Sequence, residues 1–225
     1  MSFEQILQLM IDSFPKLFLQ GLKVTVPLTV ISFSFALVIA VIVAMIQYAK
    51  VPVLTPLCRI YIWFIRGTPL LVQLYMIFFG LPSMGFKIDG FTAAVVVFSL
   101  NEGAYCAETM RAALEAVPSG QLEAGWCTGM NYLQIMRHIV LPQAFRTAVP
   151  PLFNSLISML KDTSLASNIT VVEMFFSAQR ISGRTYQFMA IYFEVALIYL
   201  MFSSVLMWVQ RASEKRLNAY GGNRG

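Results

Sequence analysis

Between Lys23 and Lys50 the chain carries no charged side chain, and this apolar run decides which folds are open to it. A helix needs ~20 residues to cross the hydrocarbon core of a bilayer. Inside lipid the backbone N–H and C=O groups must find partners within the protein, which a helix supplies from its own residues. Val24 to Ala49 is therefore read as a first membrane span. Similar reasoning marks Gly67 to Phe86 as a second span, Phe91 to about Met110 as a third, a fourth from near Phe145 with an interruption at Lys161-Asp162, and Tyr186 to Gln210 as a fifth. Lys87 to Gly90 makes a short polar turn. Ahead of the spans, Met1 to Gly21 places Ile6, Leu7, Met10, Phe14 and Leu17 at near-helical spacing, with Glu4, Asp12 and Lys16 between them, and reads as a short interfacial helix. It has neither the basic start nor the small-residue cleavage site of a signal peptide, so the first span is expected to act as an uncleaved anchor. Lys50 to Arg66 holds Pro52, Pro56 and the aromatic cluster Tyr61, Trp63 and Phe64, and reads as an interfacial connection. Residues 211–225 read as a polar, frayed tail. The expectation is an all-α integral membrane protein of five transmembrane helices, forming a single domain over 1–225.

Composition supports this: 58% of residues are hydrophobic and only 12% charged. The net charge of +5 raises the question of nucleic acid, but the basic residues are scattered between apolar spans and form no patch with interleaved aromatics, so no nucleic-acid partner is expected. They are better read as topology. One set of loops holds ten of them, Lys50, Arg59, Arg66, Arg111, Arg137, Arg146, Arg211, Lys215, Arg216 and Arg224, and the other five, Lys16, Lys23, Lys87, Arg180 and Arg184. The excess predicts an N-terminus outside and a C-terminus in the cytoplasm. The three cysteines, Cys58, Cys106 and Cys127, lack metal spacing and obvious pairing, so no metal site is expected.

Ionisable residues divide the spans. The first two carry none, whereas Glu102 and Glu108 lie in the third, Lys161 and Asp162 in the fourth and Glu194 in the fifth. Such residues normally face protein or a water-filled cavity, so spans three to five are expected to surround a polar route. Glu102, Tyr105 and Thr109 share one face of the third span. Glu108 precedes Arg111 by three residues, and a local salt bridge is the competing account of it. The run Lys161 to Ala166, KDTSLA, is the strongest constellation. Asp162 can bind an α-amino group, and the hydroxyls of Thr163 and Ser164 with the amide of Asn168 can meet a carboxylate. The competing account is an ion pair between Lys161 and Asp162 that holds a helix break together.

One stretch among the spans cannot sit in lipid: Pro118 to Pro142, which carries Gln121, Glu123, Arg137 and His138. Ser119 is placed to cap a short helix with Leu122, Trp126 and Met130 on one face. Gly129 permits a sharp turn, and Asn131 with Gln134 reads as the capping box of a second helix that Leu141-Pro142 ends. A two-helix elbow at a membrane surface results.

Glu123-Ala124-Gly125, then Gly129, then Ile139-Val140-Leu141-Pro142 resembles the EAA motif of ABC importer permeases, E-A-A, three residues, G, nine residues, I-x-L-P. The spacing matches throughout, with Gly125 standing where the pattern has Ala. Gly21 with Thr25, Arg66-Gly67-Thr68-Pro69, Gly103-Ala104-Tyr105 with Ala107-Glu108, and Leu160 to Ala166 extend the resemblance to the polar amino acid permeases of that group. The run from Asn154 to Phe175, followed by Ala178 to Thr185, looks most like permeases for L-cystine. Asn101-Glu102 stands where many relatives have small or hydroxyl residues.

The resemblance implies the type I ABC importer permease fold in a bacterial plasma (inner) membrane. The elbow becomes a cytoplasmic coupling helix that docks on a separate ATPase, with Glu123, Ala124, Gly125, Gly129, Ile139, Leu141 and Pro142 as its coupling residues. Glu102, Tyr105, Glu108, Asn154, Lys161, Asp162, Thr163 and Ser164 are placed on the substrate pathway. The chain has no G-x-x-x-x-G-K-[ST] phosphate loop, so it is expected to bind no cofactor and to be no enzyme by itself, ATP and Mg belonging to the partner. Implied partners are a pair of ABC ATPase subunits, an extracytoplasmic solute-binding protein, membrane lipid and a second permease subunit, most simply an identical one. Nucleotide would drive alternating access. Two other classes are weighed. A secondary transporter or channel would also carry intramembrane carboxylates, but no paired inverted halves are visible. A membrane enzyme would need a nucleophile with a base, and the single His138 lies in the elbow.

Overall fold

A computed structural model describes residues 2–219, and every regular element among them is helical. Helix α1 (Phe3–Gln20) is opened by a capping box in which Ser2 and Gln5 exchange backbone and side-chain hydrogen bonds. It does not stop as a separate interfacial helix. A π-helical turn at Gly21–Thr25 carries it into α2 (Val26–Tyr48), so that Phe3–Tyr48 is one helical run of 46 residues. The expected connection from Lys50 to Arg66 also proves helical, as α3 (Leu54–Gly67). Its prolines do not oppose this: Pro52 precedes the helix and Pro56 sits in its first turn, where the missing N–H has no intrahelical acceptor to lose. Thr68, extended at φ −120° and ψ 143°, then breaks the chain before Pro69. The predicted second span accordingly starts only at Leu70 and runs without a break as α4 (Leu70–Tyr75), a π turn at Met76–Gly80 and α5 (Leu81–Ser83).

Asp89 caps α6 (Gly90–Glu115) by accepting from the Thr92 hydroxyl at 2.6 Å and the Thr92 N–H at 3.0 Å. Those bonds, the side-chain one first, hold its carboxyl below the usual carboxylate range. The elbow follows as α7 (Ser119–Cys127) and α8 (Tyr132–Ile135). A further π turn, Met136–Val140, then leads directly into α9 (Leu141–Asp162), so the second elbow helix does not end at Leu141-Pro142 as expected. Proline within a helix clashes with the carbonyl four residues back; here the widened turn lies immediately before Pro142, with the Leu141 N–H reaching to the Met136 carbonyl. Helix α9 stops at Asp162, where the interruption was predicted, and continues as a 3-10 segment, Thr163–Ile169. Two helices complete the described residues, α10 (Met174–Thr185), which was not foreseen, and α11 (Phe188–Ala219). Helix α11 continues through the residues expected to fray as far as Ala219; the remainder of the expected tail, 220–225, lies outside the described residues.

Among the described residues, two runs are long and apolar enough to cross a membrane, Phe3–Tyr48 and Phe188–Leu217, or three if Leu54–Gly67 and Leu70–Ser83 are counted as one broken span. Five apolar spans are thus not seen as such. Helices α6 and α9 have the length, 26 and 22 residues, about 39 and 33 Å at 1.5 Å per residue. Their apolar character is diluted by Asn101, Glu102 and Glu108 in the one and by Gln143, Arg146 and Lys161 in the other.

The described chain divides into two compact units. The first comprises residues up to Ser34, Pro69–Phe98 and Leu156–Trp208. One of its cores gathers Leu28, Leu74, Val97, Phe98, Met159 and Ile169; another gathers Leu17, Met174, Ala178, Ile191, Val195 and Ile198. Two acidic residues are buried in it. Glu173 caps α10, accepting from the Phe175 and Phe176 N–H groups at 2.8 and 2.6 Å and from the Tyr199 hydroxyl at 3.1 Å. Glu194, expected to face a polar route, instead accepts from Ser13 of α1 at 2.6 Å. The second unit comprises Phe35–Thr68, Ser99–Ser155 and, of the described residues, those from Val209 to Ala219. Its core joins the end of α6 to the elbow and the start of α9 through Leu114, Val117, Ile135, Met136, Val140 and Ala148.

Candidate functional site

The elbow is built by local rules. Pro118, extended at φ −57° and ψ 136°, is the N-cap of α7, and Ser119 is its first helical residue with no side-chain cap, which corrects the predicted capping role. The far end closes as a Schellman motif: the Gly129 N–H donates to the Trp126 carbonyl at 3.0 Å and the Met130 N–H to the Gly125 carbonyl at 3.1 Å. Gly129 adopts φ +78°, the left-handed conformation that a residue at this position of the motif requires. The capping box is present as expected, with the Asn131 N–H donating to Gln134 Oε1 and the Gln134 N–H to Asn131 Oδ1, both at 2.9 Å.

The elbow's faces differ from the predicted stripe. Leu122 and Met130 pack toward the core, whereas Trp126 is 54% exposed. Glu123, Ala124, Arg137 and His138 are exposed, Ile139 is half-buried against the core, and Leu141 and Pro142 line an apolar groove of about 560 Å³ with Leu37, Val41 and Phe145.

Gly125 is buried, and its replacement by the expected Ala is not neutral. A Cβ there would stand 2.7 Å from Ile135 Cγ1 and 3.0 Å from Cδ1. Gly125→Ala should cost roughly 1–3 kcal/mol by overpacking. Paired with Ile135→Ala it should cost less than the sum of the single variants by about 1 kcal/mol or more, measured by thermal unfolding in detergent. Additive costs would show that the two residues do not compete for this space.

Glu102, Tyr105, Glu108 and Asn154 lie in the second unit. Glu102 is 9% exposed and accepts from the Cys106 thiol at 3.7 Å. Tyr105 is exposed, with the Arg66 guanidinium 5.1 Å from its ring centre. The predicted face of Glu102, Tyr105 and Thr109 is thus buried at one end and open at the next. Glu108 follows its salt-bridge account: Arg111 donates to both of its oxygens at 3.1 and 3.0 Å, and Arg66 lies at 3.8 Å. Asn154 Oδ1 accepts from Gln210 at 3.4 Å, a pairing across 56 residues that no sequence spacing announces.

Lys161, Asp162, Thr163 and Ser164 lie in the first unit. Lys161 and Ser164 line a cavity of about 600 Å³ with Phe175, Tyr192, Tyr199 and Ser203. Asp162 is half-buried at the end of α9. Thr163 is fully buried and its hydroxyl is committed to the Leu160 carbonyl at 2.6 Å; Asn168 likewise donates to the Leu165 carbonyl. No ion pair joins Lys161 to Asp162 among the described residues. Neighbours in a helix point about 100° apart and do not face each other. The buried cap Glu173 was missed by the sequence reading; its only signal is a lone acid between Val172 and the apolar start of α10, Met174-Phe175-Phe176. Among the described residues no cluster of His, Cys, Asp and Glu could hold a metal ion, and the three cysteines are free.

Long apolar helices, polar residues placed within them and a glycine-closed elbow between α6 and α9 define a polytopic helical membrane protein of the permease class. The chain belongs to the family of binding-protein-dependent transport system inner membrane components, whose family model matches residues 36–219. It is 46% identical over 201 residues to the L-cystine transport system permease protein TcyB of Bacillus subtilis (strain 168), covering 89% of this chain and 86% of that one. It is 38% identical over 213 residues to the probable amino-acid ABC transporter permease protein YckA of the same organism, covering 95% and 94%. Among solved structures, a chain of an amino acid ABC transporter described with histidines superposes with a TM-score of 0.87 at 32% identity, covering 96% of this chain and 99% of that one. Permeases of this family are inner-membrane subunits that lack an ATPase of their own and work in general with an ATPase and a substrate-binding protein.

Proposed function

We propose that this chain is the transmembrane subunit of an ATP-driven importer for a polar amino acid, with L-cystine the first candidate. The observation that carries the reading is the elbow. Its EAA spacing is realised as a rigid, Schellman-closed turn that leaves Glu123, Trp126 and Leu133 exposed, and these are suited to meet another protein. In this reading α7 is the coupling helix, docked on the cytoplasmic face against a separate ATPase pair that binds ATP and Mg. The elbow side is cytoplasmic by its excess of basic residues, with the N-terminus outside. Helices α2, α4–α5, α6, α9 and α11 serve as five spans, α6 and α9 tolerating polar groups because those face protein or a route and not lipid. Two such permeases, most simply identical, enclose the pathway, and a solute-binding protein delivers substrate from outside. Glu102, Tyr105, Asn154, Lys161, Asp162 and Ser164 contribute to the pathway, Thr163 supports the turn, and Glu108 acts mainly through Arg111 and Arg66. Cystine is favoured by the run from Asn154 onward and by the similarity to a cystine permease.

Reconstitution tests it. Proteoliposomes holding this permease with a cognate ATPase and binding protein should accumulate labelled cystine only with internal ATP, and should accumulate other amino acids at least tenfold more slowly. Uptake that persists without the ATPase would make the chain a secondary transporter. ATP-dependent uptake of another amino acid in preference to cystine would keep the importer and replace its substrate.

A further inference from the structure

A polar pocket of about 420 Å³ lies in the second unit, sharing no lining residue with the elbow groove and, of the residues placed on the pathway, only Glu108. Gln47 and Lys50 at the end of α2, Thr55, Arg59 and Trp63 of α3, and Arg111 and Glu115 of α6 form much of its wall. Its charges are not all satisfied internally. Arg111 is held by Glu108 and by Glu115, the latter at 2.7 Å. Lys50 and Arg59 are exposed and make no ion pair among the described residues. The three cations and two carboxylates leave one positive charge over. One further group is unsatisfied: Gln47 Oε1 is buried and accepts no hydrogen bond. An occupant with about one negative charge suits Lys50 and Arg59, and one that carries a hydroxyl donor suits Gln47.

The surroundings identify its source. Trp63, which lines the pocket, is 75% exposed and its i−3 neighbour Ile60 on α3 is 59% exposed, so the pocket opens beside an apolar helix edge in a protein of membrane class. We infer that this pocket binds the headgroup of an anionic, hydroxyl-bearing phospholipid of the phosphatidylglycerol type. The phosphodiester sits between Lys50 and Arg59, a glycerol hydroxyl donates to Gln47 Oε1, and the acyl chains lie along Trp63 and its i−3 neighbour Ile60. Cationic pockets between membrane helices are suited to such headgroups. The inference rests on the membrane class of the chain and is independent of which substrate it carries and of how the elbow couples.

Trp63 reports on the pocket directly. With Trp126→Phe and Trp208→Phe, it becomes the only tryptophan of the chain, and the full-length protein is placed in phosphatidylcholine nanodiscs. Brominated phosphatidylglycerol should quench Trp63 at about thirtyfold lower mole fraction than brominated phosphatidylcholine, two basic residues each contributing roughly fivefold at an anionic lipid. Lys50→Gln with Arg59→Gln should bring the preference close to one, Lys50→Arg should keep it, and Gln47→Leu should reduce it severalfold. The exposed cations have no partners to lose, so the double variant is expected to fold, and an unchanged thermal midpoint checks this. Equal quenching by the two lipids overturns the inference, as does a preference that survives the double variant. Relief of quenching by millimolar inorganic phosphate or glycerophosphoglycerol overturns the lipid as occupant in favour of a soluble anion. No quenching by either lipid means that protein covers this face, which overturns it as well.

Discussion

Valine at Gly129 is expected to cut ATP-driven transport at least tenfold while the chain still inserts into the membrane. Nothing lies within 4 Å of the position a Cβ would take there, so the effect is conformational and not a clash. The backbone at φ +78° costs a non-glycine residue about 1–2 kcal/mol, and a β-branched side chain fits it worst. Relief of that strain opens the two Schellman hydrogen bonds and releases the angle between α7 and α8, on which transmission of force through an elbow depends. Asparagine, which tolerates the left-handed region, should keep more than half of the transport, and alanine should fall between. A second variant separates strain from contact. Glu123 is exposed and makes no ion pair among the described residues, so Glu123→Lys should leave thermal stability unchanged and still abolish substrate-stimulated ATP hydrolysis in the reconstituted complex. Wild-type coupling in both Gly129→Val and Glu123→Lys would remove the elbow as the coupling element.

Those local features were legible in the sequence because their determinants are near neighbours. A glycine needing positive φ, an Asn-x-x-Gln capping box and a helix that stops at Lys161-Asp162 are each set by a few consecutive residues. The extents of the helices were read less well. The sequence reading treated Pro52, Pro56 and Pro142 as marks of a connection or a helix end. In the structure Pro56 occupies a first turn, and a π turn immediately before Pro142 lets the helix continue. Polarity misled in a related way at Glu194, which turns toward Ser13, and at Thr163, whose hydroxyl is taken by its own backbone. Gly125 stands where the motif has Ala, and only the position of Ile135 reveals why an added methyl is costly. The burial of Glu173 under Tyr199 and the bond between Gln210 and Asn154 depend on helix packing across 26 and 56 residues, which carries no periodic signal.

Charge reversal at the end of α9 is expected to leave a folded but inactive permease. Had Lys161 and Asp162 formed a buried pair, removing either partner would strand the other charge at a cost of about 3–5 kcal/mol, and exchanging the two would restore most of the stability. The geometry does not favour that account. Lys161 is exposed on the wall of the 600 Å³ cavity and lies in the last turn of α9, where a cation is also favoured by the helix dipole. Asp162 is half-buried on a different side of the same turn, and no ion pair connects them among the described residues. Each charge thus has its own environment, and the exchange puts a carboxylate into the place suited to a cation. If Asp162 meets the amino group of a substrate, Asp162→Asn replaces a charged hydrogen bond by a neutral one. At ~1.5–3 kcal/mol for a bond to a charged group, uptake should fall about ten- to hundredfold with little change in expression or thermal midpoint. Glu102→Gln is expected to behave alike, its effect arising separately in the other unit. Lys161→Asp with Asp162→Lys should show the wild-type midpoint within a few degrees and no uptake in proteoliposomes supplied with the binding protein, the ATPase and ATP. Wild-type uptake in the exchanged variant, or a midpoint that collapses in Asp162→Asn and recovers in the exchange, would return these residues to a structural pair.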